Sequence, residues 1–160
     1  MKRPMTLEIR PATILEAATV RAIIQAAFAE YEDTIPVPTS ASAETIAEAE
    51  VDIAEGRVFL AVAGEKAVGT VRYKLYPEYL YVGRLAVLPL YRGKGIGVAL
   101  MEFLENLAST LGRNSVQLGT RASMSGNLAF YKKLSYEIVS TEPHPRGPDT
   151  IVWLVKYLQT

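Results

Sequence analysis

The sequence predicts a mixed α/β (α+β) domain. Short apolar, β-prone runs alternate with longer segments of helical spacing. A hairpin signal, Gly64-Glu65-Lys66, joins two of those runs. An apolar run, a Gly-rich loop and an amphipathic segment follow one another between Leu85 and Leu111.

In order, Thr6 to Arg10 alternates as a first strand. Thr13-Ile-Leu-Glu16 has the form of a capping box, so a helix should run from about Ile14 to Tyr31. Pro36 and Pro38 impose a loop. Ala43 to Glu55 reads as a second helix, with Ile46, Ala49 and Ile53 at helical spacing. Val58 to Ala63, Ala67 to Leu75 and Tyr79 to Val87 read as strands. After the Gly-rich loop, Ile96, Leu100, Phe103, Leu104, Leu107 and Leu111 form a helical stripe. Ser115 to Thr120 is a strand, Asn127 to Leu134 a short helix, and Tyr136 to Thr141 and Thr150 to Lys156 are strands around a Pro/Gly-rich loop.

The loop Arg92-Gly93-Lys94-Gly95-Ile96-Gly97 carries the chemistry. A strand, a glycine loop and a helix start bring free N–H groups and the positive end of a helix dipole to one spot, which suits phosphate. Arg92 adds a guanidinium able to grip phosphate oxygens. The spacing excludes a P-loop, because no Gly-x-x-x-x-Gly-Lys-Ser/Thr string is present. It also excludes the dinucleotide fingerprint, because the sixth position from Gly93 is Val98.

Arg-x-x-Gly-x-Gly behind Leu-x-Val-x-Pro, followed by an apolar helix, resembles the acetyl-CoA motif of the GNAT superfamily of N-acetyltransferases. Asn127-Leu-Ala-Phe-Tyr131-Lys-Lys-Leu-Ser-Tyr136 resembles the family's downstream helix. The resemblance implies a GNAT-like sheet, mixed but mostly antiparallel, of about seven strands with four helices. It implies acetyl-CoA as co-substrate, with the backbone of Arg92, Gly93, Lys94, Gly95, Ile96, Gly97 and Val98 holding pyrophosphate. Leu85 and Val87 inherit a backbone role toward the pantetheine arm, and Tyr131 inherits that of proton donor to the departing thiolate. Asn127 has two readings, a pantetheine ligand or a helix N-cap. Ser135 stands where the family usually has Gly.

On the acceptor side, the end of the first helix and its following loop place Glu30, Tyr31, Glu32 and Asp33, and these acids favour a cationic amine. His144, the only histidine, sits in a loop able to reach over the acceptor. Glu78 is a further carboxylate considered as a base.

Composition narrows the classes. The 160 residues read as one domain, 1–160, with 49% hydrophobic content. Seventeen basic and seventeen acidic residues cancel, which gives no field for nucleic acid or a membrane surface. With no cysteine and one histidine, thiolate metal sites, a Cys nucleophile and a His-rich metal site are excluded. No apolar run reaches bilayer length and the start lacks a secretory h-region, so a cytoplasmic protein is the default. The leading function is direct acetyl transfer to a small-molecule, peptide or protein amine. The alternatives are a CoA-binding sensor without transfer and an enzyme for another phosphorylated ligand. A homodimer is left open.

Overall fold

The computed structural model describes residues 6–159. Strands β1 (Leu7–Pro11), β2 (Val58–Ala63), β3 (Lys66–Leu75), β4 (Tyr79–Val87), β5 (Ser115–Arg121), β6 (Glu137–Pro143) and β7 (Thr150–Tyr157) form one sheet in the order β1-β2-β3-β4-β5-β7-β6. Every neighbouring pair is antiparallel except β4 and β5, which run parallel. Helices α1 (Ala17–Phe28), α2 (Ile46–Ala54), α3 (Ile96–Thr110) and α4 (Ser125–Lys133) cover its faces.

Pleat alternation decides which helix each strand residue meets. In β2, Val58, Leu60 and Val62 pack with α1 and α2, whereas Phe59 and Ala61 pack with α3 and the aromatic residues of α4. Both faces are covered, which explains the uninterrupted apolar run of β2. On α3 the buried stripe is Ile96, Leu100, Met101, Leu104 and Ala108. Phe103 and Leu107 pack at its margin, and Leu111, expected in the stripe, is exposed beyond the helix end.

Most element boundaries agree with the sequence reading. The first helix is bracketed by 3-10 turns at Ile14–Glu16 and Ala29–Tyr31. Its capping box forms: the Thr13 N–H donates to Glu16 Oε1 at 2.9 Å, and Arg10 grips the same carboxylate at 2.8 and 2.7 Å. The second helix starts later than expected, at Ile46, because the Thr45 hydroxyl accepts the Glu48 N–H and caps it there.

Two features of β4 position the site. First, β4 and β5 pair only over Tyr79–Tyr81 against Ser115–Gln117. Beyond Tyr81 that edge of β4 has no strand partner, and the two strands part. Second, Thr70 pairs with Ala86 and Arg72 with Gly83, so Arg84 and Leu85 together face only Val71. This is a β-bulge, with Arg84 at φ +54°. The extra residue flips the alternation. Leu80 and Val82 point into the α3 core, Ala86 into the α1/α2 core, and Leu85 and Val87 pack from the α3 side.

Ser135 holds φ +74° just past α4. Changing Ser135 to Gly relieves a left-handed conformation costing about 1–2 kcal/mol, offset by about 0.5–1 kcal/mol of added chain freedom. We expect a net gain of about 0.5–1 kcal/mol in denaturant unfolding. Loss of stability would mean that the Ser135 side chain is itself needed.

The Arg10 hydrogen bonds, partly opposed by burial and helped by the Thr13 cap, lower the Glu16 pKa from 4.5 to about 2. A depressed carboxylate stabilises the fold fully above its unfolded pKa and loses that contribution as pH falls through the folded value. The stability gap between the parent and Glu16→Gln should therefore close between about pH 4.5 and 2 in urea titrations.

Candidate active site

The loop before α3 forms a cradle of backbone donors. Gly93 and Gly95 take φ +75° and +80°, which only glycine adopts without strain, and Gly95 is the N-cap of α3. The first helical bond runs from the Ala99 N–H to the Gly95 carbonyl. The N–H groups of residues 93 to 98 find no acceptor among the described residues. Such donors at a helix N-terminus suit phosphate.

Two cavities meet beside β4. The smaller, about 510 Å³, is lined by the cradle, by Leu85 to Val87, by Ala27 to Tyr31 apart from Ala29, and by Gly126, Asn127 and Phe130. The larger, about 820 Å³, occupies the opening between β4 and β5 and reaches the loop between α1 and α2. Phe28, Leu85 and Asn127 line both. The cavities are thus arranged end to end, with the bulge at their junction.

Tyr131 lines the larger cavity. It is buried, with its ring edge-on to Phe130 (5.2 Å) and Tyr136 (5.9 Å). Its hydroxyl has no hydrogen-bond partner among the described side chains. Burial first, then the neighbouring Tyr81 and Tyr31, push its pKa well above the ordinary phenol value. It therefore stays protonated and can donate.

Aromatic rings and cations wall the larger cavity. Tyr76 and Tyr79 stack at 4.8 Å, Tyr81 stands beside them, and the Trp153 ring lies against Gly119, where a Cβ would meet it at 2.6 Å. Beneath them runs a chain of ion pairs. Arg72 holds the buried Glu44 at 2.6 Å and Asp52 at 2.8 Å, Arg57 holds Asp52 at 2.7 Å, and Arg84 reaches Glu44 at 3.4 Å and Ser40 Oγ at 2.9 Å. Arg121 clamps the facing loops. It donates to the Val37 and Pro38 carbonyls and lies 3.6 Å from Asp149, which in turn bonds Ser123.

The structure places Leu85, Val87, residues 92 to 98 apart from Lys94, Asn127 and Tyr131 at the cavities and sets Lys94 in the exposed cradle. Several expectations need correction. The Arg92 side chain is committed elsewhere: it donates to Glu30 at 2.6 Å and to the Ala27 carbonyl at 2.9 Å, tying the cradle to the end of α1. Glu30 is its partner and, with Tyr31, lines the smaller cavity rather than the larger. Glu32 and Asp33 are exposed and line neither, and so does Glu78. His144 also lines neither; its Nδ1 accepts the Arg146 N–H within its own loop. That loop packs on the loop between α1 and α2 through Gly147, where a Cβ would meet Val37 Cγ2 at 2.6 Å. Asn127 is not a cap, because α4 starts at Ser125 after Met124.

Sequence reasoning missed Arg84, Arg72, Arg121 and the tyrosine wall. Their signal was charge inside otherwise apolar strands, and Gly83 within β4 marked the bulge.

Comparisons with known proteins agree with this geometry. The acetyltransferase (GNAT) family description matches residues 20–136, and the chain belongs to that family. The uncharacterized N-acetyltransferase YjcF of Bacillus subtilis (strain 168) is 32% identical over 77 residues, covering 48% of this chain and 53% of that protein. The probable N-acetyltransferase san of Drosophila melanogaster is 38% identical over 64 residues, covering 39% and 35%. The matches thus span about half or less of these relatives. The PaiA N-acetyltransferase of Thermoplasma acidophilum, solved with coenzyme A, shares the fold at TM-score 0.79 and 19% identity over 93% of this chain and 98% of that one. The ribosomal-protein-S18-alanine N-acetyltransferase of Escherichia coli does so at TM-score 0.78 and 18% identity over 97% and 96%.

Gly97 plays a different part from Gly93 and Gly95. A Cβ there would lie 3.2 Å from Phe130 Cζ, so this glycine lets α3 approach α4. Gly97→Val should push Phe130 aside and cost about 1–3 kcal/mol, and Phe130→Leu should restore part of that loss. A double-mutant cycle in denaturant with no coupling would show that the contact is not the cause.

Proposed function

We propose that this protein transfers the acetyl group of acetyl-CoA directly to the amine of an acceptor. The observation that carries the reading is the pair of cavities joined at Leu85 and Asn127, one ending in the N–H cradle and the other holding Tyr131. The residues fit the co-substrate. The N–H groups of residues 93 to 98 match a pyrophosphate. The unpaired edge of β4 around Leu85 and Val87 matches an extended arm with amide groups, as in strand addition. Asn127, half-buried at the junction, offers its side-chain amide to that arm.

Acetyl-CoA supplies an acyl group activated as a thioester. The acceptor nitrogen forms the new C–N bond as the C–S bond breaks and the electron pair leaves on sulfur. Tyr131 donates its proton to that sulfur, and the proton lost by the amine balances it through water. No cysteine is available to carry the acyl group, so transfer is direct. The protein's main contribution is to hold the two partners in line. Asp52 and Glu44 are engaged by guanidinium groups, so the amine loses its proton to solvent rather than to a free carboxylate of the cavity.

Tyr131→Phe keeps the ring and removes only the donor. We expect kcat to fall by roughly 10²–10⁴ while acetyl-CoA affinity barely changes. The assay is release of free CoA thiol over a panel of amines, with affinity measured by calorimetry. An unchanged kcat with chemistry rate-limiting would return Tyr131 to a packing role. CoA binding without turnover of any amine would favour a sensor.

A further inference from the structure

We propose that the acceptor is an amine bearing a carboxylate next to the reacting nitrogen, an α-amino acid in chemical class, and that Arg84 is the specificity residue that receives the carboxylate. The inference rests on the transfer reaction above and concerns its acceptor cavity.

The first observation is the charge inventory of that cavity. Its cations are Arg57, Arg72, Lys74, Arg84 and Arg121, and its acidic lining residue is Asp52. Asp52 is held by both Arg57 and Arg72. Glu44, below the wall, is held by Arg72 and Arg84. An acceptor with a second positive charge meets no free carboxylate there. An acceptor with a negative charge meets cations that still have donors to give.

The second observation separates Arg84 from the other guanidinium groups. Both terminal nitrogens of Arg72 face carboxylates, and those of Arg121 face the carbonyls of Val37 and Pro38. In Arg84, Nε leans on Glu44 and Nη1 on Ser40, while Nη2 has no partner among the described residues. Buried Glu44 thereby fixes the plane of the fork and leaves its outer edge for a ligand, the geometry in which Arg recognises carboxylate.

The third observation is position. Arg84 is the strained residue of the bulge, and Leu85, the next residue, lines both cavities. Strained backbone of this kind clusters at functional sites, where the surrounding structure holds it in place. An anion held by this guanidinium lies in the larger cavity, within one arginine side-chain length of the Leu85 junction. That favours a carboxylate one carbon away from the amine over one at the far end of a long acceptor. The tyrosines and Trp153 then face the rest of the molecule, which suits an apolar or aromatic side chain.

The test uses matched acceptors on the unaltered protein: phenylalanine, phenylalaninamide and phenethylamine, with free CoA thiol as the signal. We expect kcat/KM for the amino acid to exceed that for the amide and the amine by at least tenfold, with the ratio shrinking as salt rises. Arg84→Gln should raise KM for phenylalanine and erase the ratio, and Arg84→Lys should keep part of it. Calorimetry with CoA verifies that each variant is folded and still binds the co-substrate. Equal or better turnover of the amide or the amine overturns this inference and leaves acetyl transfer standing. Turnover confined to panel amines that carry no α-carboxylate overturns this inference alone, and no turnover of any amine by protein that binds CoA overturns both. The comparison of the three acceptors stands even if the Arg84 variants fail to fold.

Discussion

The parting of β4 from β5 is the constraint on which the site depends. Two parallel strands would normally continue their ladder, because unpaired backbone polar groups are costly when buried. Here they pair over Tyr79–Tyr81 and then separate. The opening is wide enough for a cavity, and it leaves one edge of β4 with unsatisfied donors and acceptors beside it. A ligand with amide groups is the natural partner for such an edge. The bulge at Arg84 and Leu85 reinforces the break by bending the strand and turning its pleat over at the junction.

Around that opening each helix has a local task. The N-terminus of α3 supplies the donor cradle, and the 2.6 Å Arg92–Glu30 pair anchors the cradle to the end of α1. That pair is exposed, so its value lies in positioning more than in stability. Helix α4 carries Asn127 and Tyr131 on one face and holds them by packing Phe130 over Gly97. The glycine motif therefore has two separate uses, conformation at Gly93 and Gly95 and helix approach at Gly97.

The larger cavity is organised by arginines. Arg72, Arg57, Arg84, Glu44 and Asp52 form one network, and Arg121 binds the loop after α1 to the loops flanking β5 and β7. Buried ion pairs add little net stability compared with well-packed apolar groups. Their gain is orientation: each guanidinium is held in a fixed plane at the cavity wall. The Arg72 Nε is buried without a partner, a cost the network tolerates.

Much was written locally and could be read from the chain. The Thr13–Glu16 box, the apolar run of β2, the stripe of α3 and the glycines at 93 and 95 act through neighbours in sequence, so their spacing suffices. The same local spacing singled out Leu85, Val87, Asn127 and Tyr131, which line the cavities. Tertiary structure alone decided the rest. The Arg92 guanidinium pairs with Glu30, 62 residues away, and Glu44 lies 28 residues from Arg72 and 40 from Arg84. Glu32, Asp33 and His144 looked like acceptor ligands because they sit in loops, yet loop direction follows from contacts such as Gly147 on Val37 that spacing does not encode. Charge at a site is the sum over partners brought together by the fold. A sequence shows which charges exist, and only the folded chain shows which of them are already paired.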